Sequence, residues 1–281
     1  MASPRAPEKA AAMVGEPAAA SGVLAPACTA ANWDARALPP LLAAGKEPQR
    51  AEPERGGASQ LLFDADCSDS PNGPSQSSSA TTTVDGVEVR LTRAAAAGTT
   101  GRGWSGNQCS FELRAADGSG APVVLGPDLV PPFNPITALV RSGSAVWLSV
   151  GFNGYAREFP AGGNRVIAAD LCSGRVVWSS ANATSNGGLL LLGDYLISPY
   201  GFTSEPRFVY VLNSHTGSVV QKLPIVENVC PSESWRPHWH PGERCDAPGQ
   251  RVGAATNPRI SGNLLYIDTN TGSSTFAFRE P

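Results

Sequence analysis

At 281 residues with a formal charge of −3, the chain is long enough to bury a substantial core. Its near-balanced charge excludes a general affinity for nucleic acid, whose phosphates require a basic face. No apolar run of about 20 residues reads as a membrane-spanning helix. Six cysteines without a CxxC pair favour disulfides over a zinc ribbon or a thioredoxin-like site, and with them an extracytoplasmic setting, periplasmic, envelope or secreted.

The first 60 residues are rich in Ala, Pro and Glu and show little periodicity. Arg5 and Lys9 precede an Ala-rich stretch ending in Ala25, Pro26 and Ala27 just before Cys28, the small-residue pattern of a signal cleavage site. Glu16 and Pro17 interrupt what would be its apolar segment, and a disordered tail is the competing reading. Asp64, Asp66 and Asp69 cluster around Cys67, yet the stretch lacks the Gly and terminal Glu of an EF-hand loop and reads as a solvated acidic turn. Ser68 to Thr83 is a polar low-complexity run that cannot offset the entropy of ordering. Residues 1–83 are therefore expected to form a disordered leader and linker, and residues 84–281 the folded domain.

Gly101, Gly103 and Gly106 satisfy a GxGxxG pattern, but the residues that follow, Cys109 to Leu113, alternate like a strand, whereas a dinucleotide site requires a helix. Downstream, Ile136 to Val150, Gly188 to Ser198 and Val252 to Asp268 each read as an apolar strand, a Gly-containing turn and a second apolar strand. Interleaved with them are Val166 to Trp178, Val209 to Gln221 and Leu264 to Phe276, which share Asp or Asn four residues before a Gly: Asp170 and Gly174, Asn213 and Gly217, Asp268 and Gly272. A weaker copy is Ser110 to Val124, around Asp117 and Gly118. In such a hairpin the Asp or Asn side chain accepts turn amides, and the Gly takes the positive φ that closes the turn. Gly174 and Gly217 are 43 residues apart, near the ~40 to 50 of one four-stranded propeller blade. Gly217 and Gly272 are 55 apart, which marks an insertion. The pattern predicts an all-β, β-propeller-like domain of four-stranded antiparallel blades, small or incomplete, with about four to five blades.

The insertion, residues 228–249, concentrates His, Cys, Trp and carboxylate. In an extended segment His238 and His240 share a face, so with Glu233, Glu243 or the thiolates of Cys230 and Cys245 they are candidate zinc or copper ligands. The competing reading is a surface loop clipped by a Cys230–Cys245 disulfide, with Trp235 and Trp239 packed on the rim; such a bridge closes a loop of roughly 16 residues, worth about 3 kcal/mol. By elimination the other expected pairs are Cys109 with Cys172 and Cys28 with Cys67, the alternative being that some are buried small residues.

The stretch Ala168-x-Asp170-x-x-Ser173-Gly174-x-x-x-Trp178 resembles the blade repeat of pyrroloquinoline-quinone-type (PQQ-like) propellers. The resemblance covers about residues 136–278. Only this copy matches throughout, since later copies carry Val211 and Tyr266 in place of Ala, and Gln221 and Phe276 in place of Trp. The family includes quinoprotein dehydrogenases and non-catalytic envelope scaffolds. The resemblance implies, for the enzymes, a calcium site, a catalytic Asp and often adjacent cysteines, and no adjacent pair occurs here. Nor is there a GxSxG, HExxH or SxxK motif, and the only histidines are His215, His238 and His240. His215 falls inside a repeat turn and reads as an exposed loop residue.

These observations lead to an expected non-catalytic binding or scaffolding module that contacts a protein or glycan through rim loops, with no catalytic residue or cofactor assigned. Two alternatives remain: a quinone-dependent oxidoreductase, and a carbohydrate or surface-ligand receptor using Trp147, Phe152, Tyr155, Tyr200 and Phe202 as a stacking platform. Those aromatics have inter-blade packing as their competing role. Asn182-Ala183-Thr184 fits a glycosylation acceptor.

Overall fold

A computed structural model describes residues 28–43, 78–94, 108–130, 136–151, 163–201, 207–225, 255–269 and 272–279. Among them there is no helix. Fifteen strands form four antiparallel sheets in chain order. The first holds β1 (Ser78–Val84), β2 (Val87–Ala94), β3 (Gln108–Ala115) and β4 (Val123–Leu125); the second β5 (Ile136–Ser142), β6 (Ala145–Val150), β7 (Arg165–Asp170) and β8 (Arg175–Ser179). The third holds β9 (Leu190–Leu192), β10 (Tyr195–Tyr200), β11 (Phe208–Asn213) and β12 (Val219–Pro224), and the fourth β13 (Ala255–Ser261), β14 (Leu264–Thr269) and β15 (Gly272–Ala277).

Successive sheets pack face to face through three apolar clusters. Phe111, Leu113 and Val89 of the first sheet meet Leu148, Ile167 and Ile136 of the second. On the second sheet's other face, Trp147, Val166 and Ala168 meet Leu196, Tyr210 and Leu212 of the third. Ile197, Val209 and Val211 then meet Leu265, Ile267 and Phe276 of the fourth. This arrangement explains the sequence pattern of each sheet. A strand covered on both faces must be apolar at nearly every position, as β6 is, all six of its residues being buried. Among the described residues the first sheet is covered on one face only, so β2 alternates: Val87, Val89 and Leu91 are buried, while Glu88 and Arg90 lie opposite Arg114 and Glu112 of β3 on the other face. Among the described residues no apolar cluster joins the fourth sheet back to the first, and the polar outer face of the first sheet suits a terminal, solvated repeat.

The blades are built on one repeated set of bonds. Asp170 Oδ1 accepts the Cys172 amide at 2.9 Å and the Gly174 amide donates to the Asp170 carbonyl at 2.9 Å. Asn213 Oδ1 accepts the His215 amide at 2.9 Å and the Gly217 amide donates to the Asn213 carbonyl at 2.8 Å. The residue after each third strand donates to the turn between the first two strands: Ala116 to Gly86, Leu171 to Ser144, Ser214 to Asp194 and Phe278 to Asn263. This last series makes β15 the third strand of its blade. Asp268 and Gly272 therefore sit at a turn between the second and third strands, correcting the expected equivalence with Asp170 and Gly174, which join the third to the fourth. The cause is that this blade draws its fourth strand from elsewhere.

That strand comes from the N-terminal segment. Leu42 bridges antiparallel to Phe278, with the Ala43 amide donating to Ala277 and the Arg279 amide to Leu41, each at 2.9 Å. Upstream, residues 28–43 run across the second and third sheets, placing Trp33 in the cluster between them and Leu41 and Leu42 in the next. Cys28 is disulfide-bonded to Cys172, Cα to Cα 5.4 Å. The expected structureless stretch 1–83 is thus corrected for residues 28–43 and 78–83. Composition pointed to disorder because the apolar anchors Trp33, Leu41 and Leu42 are too few and too widely spaced to show a period, and they become useful only once a groove exists to receive them. The expected pairs Cys109–Cys172 and Cys28–Cys67 are likewise replaced by Cys28–Cys172, since this strap brings Cys28 to the turn that carries Cys172. The Cys67 position and the expected Cys230–Cys245 pair lie outside the described residues, as does the Cys109 side chain.

Leu42 is fully buried. Replacing it by Ala is expected to cost about 2–4 kcal/mol through lost transfer and an unfilled cavity, measured by urea denaturation of the whole chain; a loss under about 0.5 kcal/mol would mean the strap does not seal that groove.

Candidate functional site

The two ends of the four-sheet array differ. At one end lie the tight turns at 85–86, 143–144, 193–194 and 262–263, the hairpin turns at 171–174 and 214–218, and the connection 116–122. At the other lie the longer connections 95–107, 126–135, 151–164, 180–189, 201–207 and 225–254, with only 270–271 short. In an antiparallel meander the first-to-second and third-to-fourth turns share an end, and the remaining connections leave from the other. The loop-bearing end therefore carries most of the connecting sequence, and the tight-turn end is the one the strap crosses.

Most of the sequence-derived candidates belong to the connections 151–164, 201–207 and 225–254 and lie outside the described residues: His238, His240, Glu233, Glu243, Trp235, Trp239, Phe152, Tyr155 and Phe202. The Asp64 to Asp69 cluster and the glycines at 101, 103 and 106 also lie outside. Trp147 and Tyr200 are described, and both are buried in the cluster between the second and third sheets. This is the inter-blade packing role and not the stacking platform: Trp147 donates its Nε1 proton to the Ser214 carbonyl at 2.9 Å and has no open ring face to offer a ligand. Asn182 is exposed, while Thr184 is buried, with Oγ1 donating to the Ala181 carbonyl at 2.8 Å.

At the base of the loop end, buried hydroxyls join the second and third sheets. Thr137 Oγ1 donates to Ser149 Oγ at 2.9 Å, Ser149 and Ser185 share a 2.6 Å bond, and Ser198 Oγ donates to the Thr184 carbonyl at 2.9 Å. Each hydroxyl satisfies a neighbour in the interior, so the chain fixes the 180–189 connection. Arg165, at the start of β7, is also partly buried, and desolvation pushes its guanidinium below its ordinary value. Among the described residues no group of three or more His, Cys, Asp or Glu side chains is arranged to hold a metal ion.

The tight-turn end carries a polar cluster that the sequence did not announce. His215 Nε2 lies 2.9 Å from Asp194 Oδ1, and its Nδ1 lies 3.0 Å from the carbonyl of Asn32 on the strap. Arg36 Nη1 is 3.6 Å from Asp194 Oδ2, and Asn213 Nδ2 donates to the Arg36 carbonyl at 2.7 Å. The hydrogen bond from His215, aided by its charge and that of Arg36, holds the Asp194 carboxyl below the usual carboxylate range against a smaller opposing effect of burial. Further along, the Leu42 amide donates to Gln221 Oε1 at 2.9 Å and Gln221 Nε2 to the Leu42 carbonyl at 2.6 Å. The departure from the repeat at this position thus has a structural use. Trp178 of the second sheet lies over Gly217 of the third, whereas Gln221 replaces the tryptophan with an amide that grips the strap.

Stacked four-stranded meanders joined in chain order define an all-β, propeller-like protein. No protein-family model and no curated protein matches the sequence. Among solved structures the chain is similar to BamB from Moraxella catarrhalis, at 15% identity and a TM-score of 0.39 over 67% of this chain and 45% of that one. It is similar to the computationally designed Ika4 protein at 10% identity and 0.38, over 71% and 89%. It is also similar to a quinohemoprotein alcohol dehydrogenase from Pseudomonas putida at 16% identity and 0.38, over 69% and 28%. The chain spans less than half the length of BamB and under a third of the dehydrogenase.

Proposed function

We propose that this chain is a non-catalytic binding or scaffolding module of the PQQ-like propeller type, working outside the cytoplasm and holding a protein or glycan partner through the loops at one end. The observation that carries this reading is the asymmetry of the array. Six of the seven connections at one end run to seven residues or more, whereas at the opposite end only 116–122 does, and a strap crosses that end. Rigid scaffolds that concentrate variable loops at one end use them for recognition, and the blades then serve to position them. The Cys28–Cys172 disulfide supports an oxidising compartment. The repeat Asp170 to Trp178, with Trp178 seated on Gly217, supports the family reading.

The test compares the whole chain with a variant lacking residues 228–249 and with a variant altered at the tight-turn end, Arg141→Ala, in capture from envelope extracts and on a glycan array. Loss of a saturable partner on loop deletion, with capture by Arg141→Ala intact, is the expected result. Equal capture by all three sinks the loop as the contact. Turnover of an electron-acceptor dye on adding pyrroloquinoline quinone and calcium would replace the binding reading with the dehydrogenase one.

A further inference from the structure

The strap is fastened to the third sheet by a group whose two partners can only accept. His215 Nε2 faces a carboxylate oxygen of Asp194 and Nδ1 faces the Asn32 carbonyl oxygen, at 2.9 and 3.0 Å. A neutral imidazole has one N–H, so it satisfies one of the two, and the imidazolium satisfies both. The side chain is only 14% exposed, so water does not readily substitute for the missing bond.

We propose that His215 is the pin of a pH-dependent clasp that holds residues 28–43 against the tight-turn end. With the ring doubly protonated, Nε2–H bonds Asp194 and Nδ1–H bonds Asn32, joining the turn before β10 to the strap. When the ring releases a proton to solvent, the N–H that remains stays with the carboxylate, the stronger acceptor. The Nδ1 lone pair then faces the carbonyl oxygen of Asn32 and the strap loses its bond. The other groups around the ring keep their state through this change. Asp194 remains ionised because its carboxyl lies below the usual range, and Arg36, which faces Asp194 from the strap, stays cationic. Asn213 and Thr216, from the ring's own turn, are neutral. Asp34 lies two residues past Asn32 and is exposed, its amide bonded to Asn32 Oδ1 at 2.8 Å. The clasp is therefore tight while the ring carries both protons and loosens once one is lost. Cys28–Cys172 keeps the strap tethered in both states, so the change is a local opening of residues 29–38. Nothing in it depends on what the loop end binds.

Hydrogen exchange on the full chain tests this, with amide protection over residues 29–38 corrected for intrinsic rates between about pH 5.5 and pH 8.5. Protection is expected to fall about tenfold across that span, the size of one charge-assisted hydrogen bond. Asp194→Asn is the informative variant: an amide Nδ2 donates to a neutral Nε2 and leaves Nδ1–H for Asn32, so docking persists and the pH dependence disappears. His215→Gln removes the titrating group and also flattens the profile, at a lower level of protection. Arg36→Gln keeps the wild-type pH dependence. A flat wild-type profile, or an unchanged slope in Asp194→Asn, would overturn the proposal.

Discussion

Replacing Cys28 and Cys172 together by Ser lowers the stability of this chain by about 3–5 kcal/mol, which for a domain of this size moves the thermal midpoint down by roughly 10 °C. The bond joins residues 144 apart, so in the unfolded chain it closes a very long loop and removes more entropy than a local bridge does. It also holds one end of the strap that carries Trp33, Leu41 and Leu42 into two inter-sheet grooves. Urea denaturation of the double variant against the oxidised parent measures the difference. A loss under about 1 kcal/mol would mean that neither effect operates.

The blades were legible in sequence because their signals are local. Asp170 with Gly174 and Asn213 with Gly217 announce their own turns through side-chain acceptors and a positive φ, and the apolar runs on either side announce strands. The strap was not legible, because its contacts with the sheets are made with residues more than 100 positions away: Cys28 with Cys172, Asn32 with His215, Leu42 with Phe278. No periodicity connects such pairs. The same gap hid His215, which reads as an exposed turn residue until the strap is laid across it. It also led Asp268 and Gly272 to be grouped with the hairpin turns, since only the presence of Leu42 beside Phe278 shows that their blade has its fourth strand from the N-terminal side. The insertion at 228–249 lies outside the described residues, and the common side of the long connections follows only from the strand directions.

Gly217→Val is expected to cost about 3 kcal/mol or more, and the cost separates into two parts. Gly217 has φ +71, a conformation that costs a residue with a Cβ about 1–2 kcal/mol, and more for a β-branched one. A Cβ there would also lie 2.5 Å from Cε3 of Trp178, so the indole must leave its seat and expose apolar surface at the seam between the second and third sheets. Gly143→Val isolates the first part: it has φ +61 but nothing within 4 Å of an added Cβ. Denaturation curves followed by tryptophan fluorescence should show Gly217→Val costing at least about 1 kcal/mol more than Gly143→Val, together with a red-shifted native emission as Trp178 meets water. Equal costs and an unshifted spectrum would mean that Trp178 does not bear on this turn.

Peptide mass mapping of the oxidised, unreduced chain decides directly whether the N-terminal segment crosses the sheets as described. A linked peptide pair containing Cys28 and Cys172 is the expected product. Recovery of Cys172 joined to Cys109, or of Cys28 joined to Cys67, would contradict the strap and with it the completion of the fourth blade by residues 41–43.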